Sequence, residues 1–210
     1  MNVFVLSTGR CGSTTFVKAC QHIRNFSCGH ETRAQLIGEE HFDYPPDHIE
    51  SDNRLSWFLG DLDQRFGKDA FFVHLTRDRD YVAQSYARRM DIGILNGYAR
   101  GILMEPAADL YSSINLARDY CDTVNHNIEM FLKDKPHRMD VRVESVEVDF
   151  RQFWDWIGAT GDLDAALAEW DTPHNATGNM IRADDVRGVA KVFRKLGRIV
   201  TKLPHYIRYA

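Results

Sequence analysis

The chain has 210 residues, of which 44% are hydrophobic and 27% charged, and its formal net charge at pH 7 is −4. This length and composition predict a single folded domain over residues 1–210 and exclude a disordered or repetitive protein. The nearly balanced charge argues against a nucleic-acid partner. No apolar stretch approaches the ~18 residues of a membrane span, and the first apolar run is too short for a signal peptide. We therefore expect a cytoplasmic protein with no transmembrane segment, and we assign no oligomeric state.

Strand-like and helix-like segments alternate along the chain. Residues 2–7 form an apolar, β-branched run that ends at a glycine loop, and residues 13–24 carry apolar side chains at helical spacing. A turn-like segment at 25–29 and loops over 34–53 follow, because that region is polar and contains two prolines. The later predicted elements are strands at 71–76 and 139–146 and helices at 54–66, 80–90, 108–133, 149–157 and 162–170. This order predicts an α/β fold, a P-loop-like three-layer sandwich with a central parallel sheet flanked by helices.

The loop after the first predicted strand has the composition of an anion site. Where a strand ends at a glycine turn and a helix begins, backbone N–H groups and the positive helix end converge on one volume. Residues 8–15 read TGRCGSTT, which adds a guanidinium and hydroxyls to these donors. The candidate binding residues are Gly9, Arg10, Cys11, Gly12, Ser13, Thr14 and Thr15.

Two familiar uses of such a loop are disfavoured. A Walker A loop requires a lysine after its second glycine, but Ser13 stands there. A cysteine phosphatase would require an arginine six positions after Cys11, and that position is Val17. Cys11 is therefore interpreted as a small loop residue. The histidines and cysteines have no metal-ligand spacing, so no metal site is predicted.

With these residues identified, the chain resembles the PAPS-dependent sulfotransferases (PAPS is 3'-phosphoadenosine-5'-phosphosulfate). The 5'-phosphosulfate loop of that family has a basic residue, a small residue, Gly and two Ser/Thr, matched here by residues 10–14. Arginine replaces the usual lysine, as in the tyrosylprotein sulfotransferase branch. The 3'-phosphate motif places a serine eight residues after an arginine at a strand end, which implies Arg77 and Ser85. Arg89 matches a further 3'-phosphate arginine of the tyrosylprotein branch.

A third segment is similar to the catalytic motif of the tyrosylprotein branch, Cys-Gly-x-Glu-Thr-Arg. This chain has CGHETR at residues 28–33, so the resemblance implies Glu31 as general base, with Arg33 and Arg10 assisting at the reaction centre. From the residues alone, His30 is an alternative base, and Glu31 with Arg33 is equally a surface ion pair. Arg142, Glu144 and Gly158 match positions to which we assign structural roles.

The resemblance implies transfer of a sulfuryl group from PAPS to a hydroxyl or amine, releasing PAP (3',5'-adenosine bisphosphate). The acceptor class stays open among small molecules, saccharides, lipids and peptides, with loops 34–53 and 91–107 as candidate acceptor surfaces. The alternatives are a P-loop small-molecule kinase and a non-catalytic nucleotide-binding module. A basic segment at 182–208 either packs one helix face or contacts an anionic surface.

Overall fold

A computed structural model describes residues 1–90, 92–104 and 111–172. These residues belong to one compact unit, Met1–His174. The second unit, Asn175–Ala210, contains the basic segment at 182–208 and lies outside the described residues. A single domain over 1–210 therefore stays a prediction.

In the described ranges the chain forms five strands and eight α-helices. The strands are β1 (Val3–Leu6), β2 (Ser27–His30), β3 (His48–Ser51), β4 (Phe71–Thr76) and β5 (Arg138–Arg142). The helices are α1 (Ser13–Cys20), α2 (Glu39–Phe42), α3 (Leu59–Phe66), α4 (Arg79–Ala87), α5 (Gly93–Gly97), α6 (Ser113–Leu132), α7 (Val146–Trp156) and α8 (Leu163–Ala168). Short 3-10 turns occupy Asn53–Trp57, Val143–Ser145 and Glu169–Asp171.

All five strands are parallel and lie in the order β2-β3-β1-β4-β5. The predicted α/β fold with a central parallel sheet is confirmed. Helices cover both faces of the sheet. Consecutive side chains of a strand point to opposite faces, and neighbouring residues of β4 contact different helices. On β4 the ring of Phe71 packs 6.4 Å from Phe153 of α7, whereas the next residue, Phe72, packs 5.1 Å from Phe131 of α6.

The strand order places a crevice at the carboxyl ends of β1 and β4. The chain leaves β1 towards the β2 edge of the sheet, and it leaves β4 towards the opposite edge at β5. Loops that diverge in this way open a cleft at the point where the order reverses, and ligands of parallel sheets bind there. Both phosphate motifs suggested by the sequence begin at this point.

Several predicted segments are wrong. The turn-like 25–29 and the loops over 34–53 contain β2, α2 and β3. The strand predicted to reach residue 146 ends at Arg142, and α7 begins at Val146, because the carboxylate of Asp149 turns back to accept the Arg142 N–H at 2.9 Å. The helix predicted over 80–90 is α4, Arg79–Ala87, and it is capped by Asp78, whose carboxylate accepts the Tyr81 N–H at 2.8 Å. Among the described helices, none is long and apolar enough to cross a membrane.

Candidate functional site

The anion loop, residues 8–13, leaves β1 with three of its residues in the left-handed backbone region. Gly9, Arg10 and Gly12 have φ angles of 80°, 63° and 82°. A left-handed residue other than glycine costs about 1–2 kcal/mol, so Arg10 is held there by its surroundings. Runs of such residues form concave nests of N–H donors that bind anions. The loop predicted to hold a phosphosulfate therefore has a shape suited to one.

Cys11 belongs to the packing of this loop. Its thiol lies 3.1 Å from the hydroxyl of Thr8 and donates to the carbonyl oxygen of Gly9 at 3.3 Å. Burial raises the pKa of Cys11 to about 11, so the thiol is protonated at neutral pH. A protonated, enclosed thiol is a poor nucleophile. This agrees with its interpretation as a small loop residue.

Arg10 and Ser85 are in direct contact. The Nε of Arg10 donates to the hydroxyl of Ser85 on α4 at 3.1 Å, and Ser85 is only 7% exposed. Burial, and then the charge of Arg89, lowers the pKa of Arg10, so the two guanidinium groups lie close enough to repel each other. The structure thus brings together a residue of the first phosphate motif and two residues of the second.

Arg77 lies at the tip of β4, beside the anion loop. Its guanidinium carbon is 3.5 Å from the centre of the Tyr81 ring, and its positive charge partly offsets the effect of burial on the Cys11 thiol. The next residue, Asp78, donates its N–H to the carboxylate of Glu144 at 2.8 Å. Glu144 therefore ties the tip of β4 to the end of β5, in line with the structural role expected for it.

The tip of β2 carries Glu31 on a tightly held turn. Glu31 has a φ of 55°, and its N–H donates to the carbonyl of Ser51 at 3.1 Å. The next residue, Thr32, donates its N–H and its hydroxyl to the carboxylate of Glu50 at 2.8 and 2.7 Å. Glu50 is fully buried and lies 2.9 Å from Nε2 of His48. We call Gly29, Thr32, His48 and Glu50 the Glu50 clamp.

The partner of Glu31 is not the arginine suggested by the sequence. The carboxylate of Glu31 pairs with the guanidinium of Arg54 at 2.8 Å. Although burial acts to lower it, the hydrogen bond and charge of Glu31 raise the pKa of Arg54. Arg33 instead donates to the carbonyl oxygen of Glu40 at 2.9 Å and lies over the ring of Tyr44. A catalytic role for Arg33 stays a prediction, and Arg54 is the residue that sequence reasoning missed.

The β2 tip and the anion loop meet through His30. Its Nε2 lies 3.0 Å from the hydroxyl of Ser13, the first residue of α1. Thr14 and Thr15 follow in the first turn of the same helix, and Thr15 is 7% exposed. The candidate base is therefore one residue from a side chain that contacts the helix end at which an anion would bind.

A groove of about 710 Å³ opens next to the anion loop. Its lining includes Val143, Leu167 and Trp170 together with four acidic residues, Glu144, Glu147, Asp164 and Asp171. A β-carbon at Gly12 would lie 3.4 Å from the ring of Trp170. Its volume falls in the range of small-molecule sites, about 300–1,000 Å³. Within the described residues, no group of three His, Cys, Asp or Glu side chains is arranged to hold a metal ion.

Comparison of the chain with protein-family models and with curated proteins finds no match to either.

Proposed function

We propose that this chain is a PAPS-dependent sulfotransferase with a P-loop-like fold. The observation that carries the proposal is the 3.1 Å hydrogen bond between Arg10 and Ser85. The first is a candidate ligand of the 5'-phosphosulfate and the second of the 3'-phosphate. Their contact at the sheet's crevice supports one site for a nucleotide with phosphates at both positions. Arg89 adds positive charge to the same place.

The roles of the residues follow from the charge that the reaction moves. Sulfuryl transfer breaks the bond between sulfur and the 5'-phosphate oxygen and forms a bond from sulfur to the acceptor oxygen or nitrogen. Negative charge remains on the 5'-phosphate, where Arg10, Ser13, Thr14 and the loop N–H groups would stabilise it. Catalysis of this kind depends on positioning and charge, as in phosphoryl transfer, and the proposal requires no metal ion.

Glu31 would take the acceptor's proton. A general base must be oriented towards the proton that it removes, and the ion pair with Arg54 at 2.8 Å orients the carboxylate of Glu31. The Glu50 clamp fixes the backbone next to it. The groove beside Gly12 has room for the nucleoside, and an indole and aliphatic side chains in its lining suit an aromatic base.

One observation favours the kinase alternative. Asp52 follows β3, the strand next to β1, and is fully buried, and its Oδ2 has no hydrogen-bond partner among the described residues. Kinases and ATPases of the P-loop class hold magnesium with a carboxylate at such a strand end. Ser13 at the position of the Walker lysine argues against this reading.

A thermal-shift comparison separates the two functions. A ligand at a hundredfold excess over its Kd stabilises the folded protein by about 2.7 kcal/mol. We expect PAP to raise the melting temperature by several degrees without magnesium, and Mg-ATP to raise it little. A shift with Mg-ATP alone would establish the kinase and refute the sulfotransferase.

Substitutions then assign the phosphates. Arg77→Ala and Arg89→Ala should weaken PAP at least tenfold and leave 5'-AMP within about twofold, because each removes a charged contact to the 3'-phosphate. Arg88→Ala is the matched control, since Arg88 is exposed and is the neighbour of Arg89 in sequence. Equal effects of all three variants would show that only general charge matters.

Glu31→Gln tests the base. It should abolish transfer of radioactive sulfate from PAPS to phenol, sugar and peptide acceptors while PAP binding persists. Glu129→Gln is the control, because Glu129 is an exposed carboxylate on α6 that lies in neither phosphate motif nor in the candidate acceptor segments. Full transfer by the Glu31→Gln variant would remove this residue from the mechanism.

A further inference from the structure

The carbonyl oxygen of Thr8 accepts hydrogen bonds from two buried phenols. Tyr86 of α4 donates at 2.5 Å and Tyr120 of α6 donates at 2.8 Å. Tyr86 is 7% exposed and Tyr120 is fully buried, and their rings pack edge to face with centres 5.2 Å apart. A carbonyl oxygen has two lone pairs, so this acceptor is fully used. The N–H of the same peptide, on Gly9, donates to the hydroxyl of Ser7 at 3.0 Å.

The peptide group between Thr8 and Gly9 is the first of the anion loop. Its close contact with Tyr86 requires glycine at position 9. A β-carbon on Gly9 would lie 2.4 Å from the Tyr86 hydroxyl oxygen and 3.1 Å from Cγ of Asn53. The loop therefore approaches α4 as closely as a backbone without side chains allows. A movement of α4 relative to β1 would have to stretch these hydrogen bonds.

Tyr86 is next in sequence to Ser85, which accepts from Arg10. Helix α4 thus contacts the anion loop through two adjacent residues. Tyr86 binds the backbone carbonyl of Thr8, and Ser85 binds the side chain of Arg10. Arg89 lies one turn further along the chain, four residues after Ser85. The groups assigned to the 3'-phosphate are carried by α4 and by the residues just before and just after it, and those assigned to the 5'-phosphate are carried by the loop.

We propose that Tyr86 and Tyr120 are positioning residues that hold the anion loop at a fixed spacing from α4, so that one ligand with two phosphates is bound at both ends. The proposal rests on the proposed function. A monophosphate uses one group of donors and is insensitive to the spacing. A bisphosphate gains from binding the second group only while the geometry matches its own length. Burial, and then interaction between the two phenols, keeps the pKa of Tyr86 above its ordinary value, so its hydroxyl remains a donor at neutral pH.

The test compares affinities for PAP and for 5'-AMP in Tyr86→Phe, Tyr120→Phe and the double variant. Loss of one net hydrogen bond of about 1 kcal/mol corresponds to about fivefold in affinity. We expect each single variant to lose about three- to fivefold for PAP and the double variant at least tenfold, with 5'-AMP within about twofold. Tyr98→Phe is the matched control, because its hydroxyl donates to Asp119 at 2.5 Å while its ring also packs against Tyr120.

The outcomes separate the two levels of the proposal. If the unsubstituted protein does not bind PAP, the proposed function fails and the positioning role fails with it. If it binds PAP, and the double variant binds within about twofold of it, only the positioning role is refuted. Equal losses for PAP and 5'-AMP also refute that role, since they would mean that the phenols merely stabilise the loop. Should Tyr120→Phe not fold, as judged by circular dichroism, Tyr86→Phe alone decides the result.

Discussion

Gly29→Ala tests whether the Glu50 clamp sets the position of Glu31. Gly29 does not have a left-handed φ, so alanine is allowed by the backbone and only space is at issue. A β-carbon there would lie 2.3 Å from Cγ2 of Thr32 and 2.8 Å from Oε2 of Glu50. Both distances are shorter than the contacts that a β-carbon makes in folded proteins, so Thr32 must move away from Glu50.

The cost follows from the contacts that this movement breaks. Thr32 donates two hydrogen bonds to the Glu50 carboxylate, and a hydrogen bond to a charged group contributes about 1.5–3 kcal/mol. Losing one or weakening both costs about 2–4 kcal/mol. Alanine regains about 0.4–1 kcal/mol by restricting the unfolded chain. We therefore expect Gly29→Ala to lower the free energy of unfolding by about 1–3.5 kcal/mol.

Urea unfolding followed by circular dichroism measures this loss, with Gly60→Ala as control. Gly60 lies inside α3 with nothing within 4 Å of its β-position, so the control should be neutral or stabilised by up to about 1 kcal/mol. Sulfate transfer should fall more than PAP affinity in Gly29→Ala, because the clamp is directly next to Glu31 and reaches the anion loop only through the contact of His30 with Ser13. If Gly29→Ala and the unsubstituted protein unfold at the same urea concentration, the hydrogen bonds of the Glu50 clamp do not stabilise the fold. The inference that the clamp sets the position of Glu31 would then be wrong.

Three further predictions concern titratable groups. Burial acts to raise the pKa of Asp149, but hydrogen bonds from the Arg142 N–H and the Ser145 hydroxyl hold it below its ordinary value. Its stabilisation is therefore present above the unfolded pKa of about 3.9 and is lost as the pH falls through the folded pKa. Asp149→Asn should cost about 1–3 kcal/mol at pH 7 in urea melts, and this cost should shrink progressively as the pH is lowered below about 3.9. The pKa of Asp52 is shifted in the opposite direction, because burial raises it. The contribution of Asp52 to stability is therefore present below the unfolded pKa of about 3.9 and is lost as the pH rises through the folded pKa. Asp52→Asn should consequently gain stability relative to the unsubstituted protein between pH 4 and pH 7, and an unchanged difference would contradict the assignment. Cys11, with a pKa raised by burial to about 11, should resist iodoacetamide at pH 8, and rapid labelling in a peptide digest would show that the loop opens.

Sequence reasoning correctly predicted the strands that consist mainly of apolar, β-branched and aromatic residues. FFVHLT at 71–76 matches β4 in both bounds, since its apolar, β-branched and aromatic side chains are buried between two helical layers. The first strand was likewise found to within one residue at each end, because Val3, Phe4, Val5 and Leu6 are all fully buried. Patterns of this kind report burial on both faces.

Strands β2 and β3 were missed because they carry polar side chains. They read SCGH and HIES, with a fully buried glutamate and two histidines where an apolar run would be expected. These residues form a hydrogen-bonded chain from Ser27 through His48 and Glu50 to Thr32. Buried polar groups are tolerated when they are bonded to one another, and such a network cannot be inferred from periodicity.

The missed strands also explain why the sequence pointed to Arg33 instead of Arg54. Arg33 is two residues from Glu31 along the chain, and without β3 no closer cation was apparent. In the sheet, β2 and β3 are parallel neighbours with His30 opposite Ser51, so the residues just past both strands leave the sheet side by side. Glu31 follows one strand and Arg54 lies shortly after the other, which brings their charged ends to 2.8 Å. Which cation serves a candidate base in a parallel sheet is therefore decided by strand register, and a motif within one segment cannot determine it.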